Sequence, residues 1–443
     1  MHKDDPTPHL ERFTSYEQAC REFRWPTPQR FNIASAICSR HPDAITRVAL
    51  SELKPAGINT YTFGGLDFLS DKFAMSLSES GFVEGDTIAV MLPPSAALAV
   101  AHLGALKAGG VVAPLSVSRD PGSLRQTLAD REARFLVVSE SITSAFDSFA
   151  SDPENLDHVY VARDLRPSAT DPRRKDFWSE IDRASSDFKA VETEPHSPAF
   201  AFYTSVKGNP RGVVHSHASL FGALAAFEMF TNLALDSRSI FWAANDWSSV
   251  RVLLAMLYPA WWYGCSVVAA TSHHDEFSVI QRCEVTHAFF PAPKMSELMY
   301  GRQPERVDSN LQLIVTDEPL PKEGREWASD VLGADLATVY SRPETGVIAG
   351  ACEPWYSTPD NFVGRVVPGR VVDVVDEHAC PLQPGVRGQI AIHISDPALF
   401  LRYHNDPATP AAACVGNWFL TGDAGYKSED GDLCLTPSSK EED

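Results

Sequence analysis

The segment Phe202-Tyr-Thr-Ser-Val-Lys-Gly-Asn-Pro-Arg-Gly-Val213 gathers hydroxyls, two glycines and two cations between a short apolar run and a stretch that reads as a helix from near His217. Backbone N–H groups in such a loop can form an anion nest, and a helix N-terminus behind it adds positive potential. Thr204, Ser205 and Gly208 would supply donors, and Lys207 and Arg211 charge, so the chemistry is phosphate binding. The same composition also fits a Gly/Pro surface loop. His215 and His217 stand two apart, a spacing open to a metal pair, whereas His273 and His274 read as solvated loop. The eight cysteines form no C-x-x-C pair, so neither a zinc ribbon nor a redox dithiol is expected, and scattered thiols suit a reducing, cytoplasmic setting. No nucleophilic triad or G-x-G-x-x-G is present.

These groups need a scaffold, and the apolar pattern supplies one. Ile88-Ala-Val-Met-Leu92 reads as a strand, Ala96 to Lys107 as a helix stopped by Ala108-Gly109-Gly110, and Val111 to Leu115 as the next strand. Runs without polar alternation are what parallel strands covered on both faces require. Similar runs at 135–138, 159–162 and 199–203, and later at 267–269, 287–290, 311–315 and 337–340, predict two doubly wound α/β units. After Gly350 short alternating strands predict a small antiparallel β-barrel. The expected division is an N-terminal segment 1–29, α/β subdomains 30–195 and 196–350, the barrel 351–435 and a hinge start at 436–443. The 443 residues exceed one cooperative core. A net charge of −20, from 38 Lys and Arg against 58 Asp and Glu, disfavours general binding to nucleic acid or anionic lipid. The start, Met1 to Pro8, has no apolar signal core. The uncharged stretch between Arg251 and Asp275 invites a membrane span, but Pro259, Gly264 and the change to Cys265-Ser-Val-Val-Ala-Ala270 predict a buried helix followed by a buried strand.

The phosphate segment resembles T-S-G-T-T-G-x-P-K-G of the adenylate-forming acyl-CoA synthetase superfamily, and further motifs follow in order. Phe241 to Trp247 and Tyr258 to Gly264 resemble the acyl-pocket region of short- and medium-chain members. Tyr340-Ser-Arg-Pro-Glu344 resembles Y-G-x-T-E, Gly364-Arg-Val-Val-Pro-Gly369 resembles G-R-P-x-P-G, and Trp418-Phe-Leu-Thr-Gly-Asp423 with Asp430-Gly431 resembles W-x-x-T-G-D…D-G. The resemblance implies the large domain of that fold and a two-step reaction: a carboxylate and ATP give acyl-AMP and pyrophosphate, then the CoA thiol displaces AMP. It implies that Asp423 accepts from the ribose hydroxyls, Tyr340 stacks on adenine beside Ser341, Asp317 and Glu318, and Glu344 is catalytic, holding Mg²⁺ against the phosphates. Trp242, Asn245, Trp247, Ser248, Phe289, Phe290 and Pro291 would line a pocket for a hydrophobic carboxylic acid, although many of these aromatics also read as core. The histidines after the loop carry no metal in that family.

The departures begin at the phosphate loop and extend beyond it. The loop lacks a glycine and two threonine hydroxyls, and Val206 is β-branched and donates nothing to phosphate. Losing two or three charge-assisted hydrogen bonds of ~1.5–3 kcal/mol each would weaken triphosphate binding roughly 10²–10⁵-fold. Thr316-Asp317-Glu318 stands for G-G-E, and Ser341 and Pro343 for the Gly and Thr of Y-G-x-T-E. The hinge arginine of the family falls on Ser438 or Ser439, and the C-terminal lid is expected to be absent beyond Asp443. The AMP-facing groups persist while the triphosphate grip is eroded. The expectation is a chain that takes acyl-AMP and CoA as substrates in thioester formation, adenylates weakly, leaves the roles of ATP and Mg²⁺ open, and draws acyl-AMP from a separate adenylating enzyme. An ordinary ATP-dependent synthetase and a non-catalytic adenylate-binding protein are the alternatives.

Overall fold

The computed structural model describes residues 9–26, 28–118, 133–140, 156–163, 174–206, 209–271, 274–301, 306–404 and 413–436. Three sheets carry the fold. The first has eight strands, in the order Arg402–Tyr403, Asn209–Ser216, Pro198–Val206, Val111–Pro114, Thr87–Met91, Phe135–Ser139, His158–Ala162 and Arg174–Asp176. From Pro198–Val206 to Arg174–Asp176 the pairing is parallel. The second has nine strands, with a parallel centre of Asp335–Arg342, Leu313–Thr316, His287–Phe289, Ile240–Ala243, Ser266–Ala269 and Val48–Lys54 between antiparallel edges. The third is antiparallel: Val372–Val375, Gly388–His393, Trp418–Lys427, Cys414–Val415 and Leu433–Thr436. This is the expected α/β architecture of two doubly wound units with a small β unit.

Strand alternation explains the layering. In Thr87–Met91, Ile88 and Val90 face one core and Ala89 and Met91 another. The first of these cores is shared by both large sheets and contains the buried helices Ala96–Lys107, Ser219–Phe230 and Tyr258–Trp262. Helix Ala96–Lys107 starts where the Ser95 side chain accepts from the Leu98 N–H, and all its residues are buried. Gly109, at φ 75°, ends it. The uncharged stretch after Arg251 forms Val250–Val252, Leu253–Leu257 (a π-helical turn) and Tyr258–Trp262, then the strand Ser266–Ala269, as expected of a buried helix and strand. Among the described residues no helix is long and apolar enough to cross a membrane.

Two expectations fail, for one physical reason. The boundary at 195/196 does not separate the sheets: the hairpin Pro198–Ser216 completes the first sheet, and Val48–Lys54 with Gly57–Thr62 lies in the second. Nor is the phosphate segment a loop up to the helix: the helix begins at Ser219, near the expected His217, but Asn209–Ser216 is a strand. Pro198–Val206 and Asn209–Ser216 pair antiparallel, Thr204 with Arg211 and Val206 with Asn209, so only residues 207 and 208 lie between the strands. The helix Ser219–Phe230 begins a whole strand away from that tip, and its dipole does not reach it. Partner choice between strands is non-local, and composition does not encode it.

Candidate active site

The strand ends that the sequence singles out meet along one rim. In the second sheet, Asp317, Tyr340, Ser341 and Pro291 follow or end neighbouring parallel strands on their C-terminal side, the side where open α/β sheets bind ligands. The third sheet lays an apolar face of Val374, Ile390, Ile392 and Leu433 against Tyr340 and Ile348, which brings Trp418–Lys427 alongside Tyr340. Gly364 makes this docking possible: at φ 101°, a Cβ there would lie 2.1 Å from the Gly350 carbonyl oxygen.

Tyr340 is buried and donates its hydroxyl to Asp423 Oδ2 at 2.5 Å. Burial, then the Asp423 carboxylate, pushes the phenol well above its ordinary value, so it stays a donor. Arg342 Nη1 lies 3.4 Å from Asp423 Oδ1, so each carboxylate oxygen has one partner. Next along the strand, Ser341 Oγ accepts from Arg251 Nε at 2.8 Å. Arg251 also forms an ion pair with Asp317, whose other oxygen accepts from the Ala292 N–H at 2.8 Å. Through Arg251, Asp317 therefore ties the helix after Pro291 to the strand Asp335–Arg342. Glu318 is exposed.

Glu344 Oε1 accepts from the Tyr403 hydroxyl at 3.0 Å. Burial and then Glu344 raise the Tyr403 phenol, which leaves it protonated and donating. The Arg211 guanidinium stands 4.1 Å from the centre of the Tyr403 ring. Arg211 reaches it because Arg402–Tyr403 pairs with Val213–Val214 beside the hairpin. Gly212 permits the close approach, since a Cβ would meet the Tyr203 ring at 2.7 Å and His404 Cβ at 2.9 Å. Thr204 Oγ1 is turned to the Arg211 carbonyl at 3.5 Å. Ser205 is placed by its backbone pairing with Pro210, and Lys207 and Gly208 lie outside the described residues.

His215 and His217 are structural. His215 Nε2 is 2.7 Å from the Pro343 carbonyl and Nδ1 3.2 Å from Ser219 Oγ, so it pins the turn that carries Glu344. Burial lowers it to about 4 against the opposing pull of the Pro343 carbonyl. His217 Nδ1 accepts from the Ile33 N–H, and burial lowers it to about 3. Both imidazoles are neutral. The two histidines, whose spacing is open to a metal pair, make three separate hydrogen bonds to different elements. His273 lies outside the described residues.

Farther along the rim a cavity of about 900 Å³ opens between the strand ends of both large sheets. Three of the residues expected at an acyl pocket, Trp242, Asn245 and Pro291, stand in its wall, with Pro93 and Pro94 from the first sheet opposite. Four expected residues are not among its walls. Trp247 is core, edge-on to Trp261, and Phe289 and Phe290 pack into the two cores on either side of their strand. Ser248 turns its hydroxyl back to Asp246 Oδ1 at 2.5 Å. Sequence reasoning missed Arg251, Arg342, Tyr403 and Asp246. Only Arg251 carries a signal, a lone cation at the head of a long uncharged stretch. A second cavity, about 460 Å³, lies between the N-terminal segment and the β unit, away from these groups.

The family described as AMP-binding enzyme matches residues 35–404. Among curated proteins, the chain is 25% identical to acyl-coenzyme A synthetase ACSM3, mitochondrial, of Homo sapiens, over 97% of this chain and 75% of that protein. Among solved structures, the acyl-CoA synthetase of Brucella canis superposes with a TM-score of 0.88 at 22% identity, covering 96% of this chain and 80% of that one. The N-terminal domain of FACL13 from Mycobacterium tuberculosis superposes with a TM-score of 0.80 at 20% identity, covering 92% and 99%.

Proposed function

Because the chain belongs to the AMP-binding enzyme family, and acyl-CoA ligation is the activity that membership supports, we propose that it binds a carboxylic acid as its acyl-adenylate and serves mainly the second half of that reaction. In that step the CoA sulfur attacks the acyl carbonyl carbon, the C–S bond forms, the C–O bond to phosphate breaks and AMP leaves with the electron pair. In this reading Asp423, oriented by Tyr340, accepts from the ribose hydroxyls. Tyr340 and Ser341 flank the adenine together with Asp317 and Glu318. Arg211 faces the α-phosphate, and Trp242, Asn245 and Pro291 contact the acyl group. Glu344 is a hard oxygen donor beside a cation and suits Mg²⁺, which would supply charge neutralisation at phosphate. A separate enzyme would provide the adenylate, and the reduced thiols of all eight cysteines fit a cytoplasmic setting.

The observation that carries the reading is the hairpin. Residues 204–206 pair with 209–211, so their backbone groups serve a β-ladder where a phosphate loop would turn N–H groups toward a triphosphate. One observation favours an ordinary ATP-using synthetase: Arg211 is held on Tyr403 beside Glu344, a cation and a carboxylate still placed at the hairpin. The test measures calorimetric affinity for ATP and for an acyl-sulfamoyl-adenosine, alongside acid-dependent pyrophosphate release. The expected result is at least a hundredfold preference for the adenylate mimic and negligible pyrophosphate, with release gained when the glycine- and threonine-rich loop is restored. Brisk pyrophosphate release by the unaltered protein overturns the reading.

A further inference from the structure

We propose that the large cavity selects acyl groups that carry a protonated amine, with Asp246 as the counter-charge; this rests on the cavity being the acyl site. The charges around it are unequally matched. Lys294 is the only lysine or arginine in its wall among the described residues, and it already serves two carboxylates, Glu276 at 2.5 Å and Glu297 at 3.2 Å. Among the described residues Asp246 forms no ion pair; its partners are hydroxyls. Its Oδ1 accepts from Ser248 and its Oδ2 from Ser116, a hydroxyl that arrives from the first sheet. An ionised carboxylate offers about four acceptor positions, so two hydroxyls leave capacity for a further donor. An ammonium group supplies what two neutral hydroxyls do not, a positive charge in a concave, partly desolvated wall.

A second observation points into the same wall. Trp242 lines the cavity at 4% exposure, and its indole Nε1 has no acceptor among the described residues. A buried donor left unmade is costly, and an acyl oxygen in the cavity would relieve it. Between the two polar ends, Pro93, Pro94, Ala270 and Pro291 give an apolar strip that suits a methylene chain or ring, and Ser118, Ser139, Asn245, Thr271 and His274 complete the wall. The same inventory argues against an acid with a second carboxylate, because the wall holds three carboxylates and one saturated lysine. It argues equally against seating the phosphates of CoA there.

The experiment compares two isosteric acyl-sulfamoyl-adenosines, the 6-aminohexanoyl and heptanoyl derivatives, titrated into the full chain by calorimetry, with AMP as a reference ligand. A charge-assisted contact should make the amino compound ten- to a hundredfold tighter. Asp246→Asn, which keeps its acceptor for a serine hydroxyl, should bring the ratio to within threefold of unity, and Asp246→Glu should restore part of it. Equal or reversed affinities in the unaltered protein, with both compounds still tighter than AMP, overturn the amine preference and leave the adenylate reading standing. An unchanged ratio in Asp246→Asn also overturns it. If neither compound nor AMP binds, the adenylate reading falls and takes this inference with it.

Discussion

In the proposed reading Asp423 receives two ribose hydroxyls, and the hydrogen bond from Tyr340 fixes the direction in which that carboxylate points. The Tyr340 hydroxyl donates to Asp423 at 2.5 Å, and Arg342 steadies the other oxygen at 3.4 Å. Tyr340→Phe keeps the ring in the core and removes only that donor. A charge-assisted hydrogen bond is worth ~1.5–3 kcal/mol, so affinity for an acyl-sulfamoyl-adenosine should fall roughly ten- to a hundredfold while the thermal midpoint moves little. Calorimetry on the variant checks this, and an unchanged affinity would make Tyr340 a packing residue only. Residue identity made Tyr340, Glu344 and Asp423 legible, because carboxylates and a tyrosine at those spacings carry the family motifs. Arg342 as the partner of Asp423 and Tyr403 as the partner of Glu344 were not legible. Each lies on a different element from the carboxylate it meets, and the pairing exists only once those elements are packed.

At the scale of elements, local pattern fared better than pairing. The helix Ala96–Lys107 matches its sequence bounds because a capping serine, a positive-φ glycine and a clean apolar run are all local signals. The hairpin at 198–216 and the crossing of Val48–Thr62 into the other sheet were not legible, since both depend on which edge a strand meets. A similar long-range contact yields an element-scale prediction. Glu228, on the helix Ser219–Phe230, is buried and receives the N–H groups of His9 and Leu10 and the hydroxyl of Tyr263, which ties the N-terminal segment to the core. Burial raises its carboxyl to about 7 in spite of those donors. A carboxyl raised on folding holds its proton more tightly in the native state, so its stabilising contribution is complete below the unfolded value and is lost as pH rises toward 7. Glu228→Gln cannot ionise. Its stability relative to the natural chain should therefore improve by about 1–3 kcal/mol between pH 5 and 8, read from urea midpoints. A pH-independent difference would show that Glu228 is charged throughout.

For the whole molecule the decisive term has the opposite sign. His102, His215, His217 and His287 are all buried, and burial lowers them to about 3, 4, 3 and 4. They sit in the shared core, at the Glu344 turn, against the helix Ile33–Cys38 and in the second sheet, so both large sheets and the core they share are affected. A histidine depressed on folding contributes stability that is present above its unfolded value near 6.5 and is lost as pH falls toward the folded value, because the unfolded chain takes up protons the native core refuses. Four such groups, less the one proton that Glu228 holds in the native state, give a net uptake of about three on unfolding between roughly pH 6.5 and 4.5, a loss of about 4 kcal/mol per pH unit. Against a typical domain stability of about 5–15 kcal/mol, the chain should unfold cooperatively within two to three units below 6.5. Tryptophan fluorescence along a pH titration, with urea midpoints at each step, measures the slope. His102→Gln should lower it by about one proton, since among the described residues that imidazole's hydrogen-bond partner is Tyr258 Oη at 3.3 Å and it takes no part in the proposed site. A flat profile down to pH 4.5 would mean that these imidazoles are protonated in the native state, and the packing of the shared core around His102 would then have to admit a counter-charge that its surrounding residues do not contain.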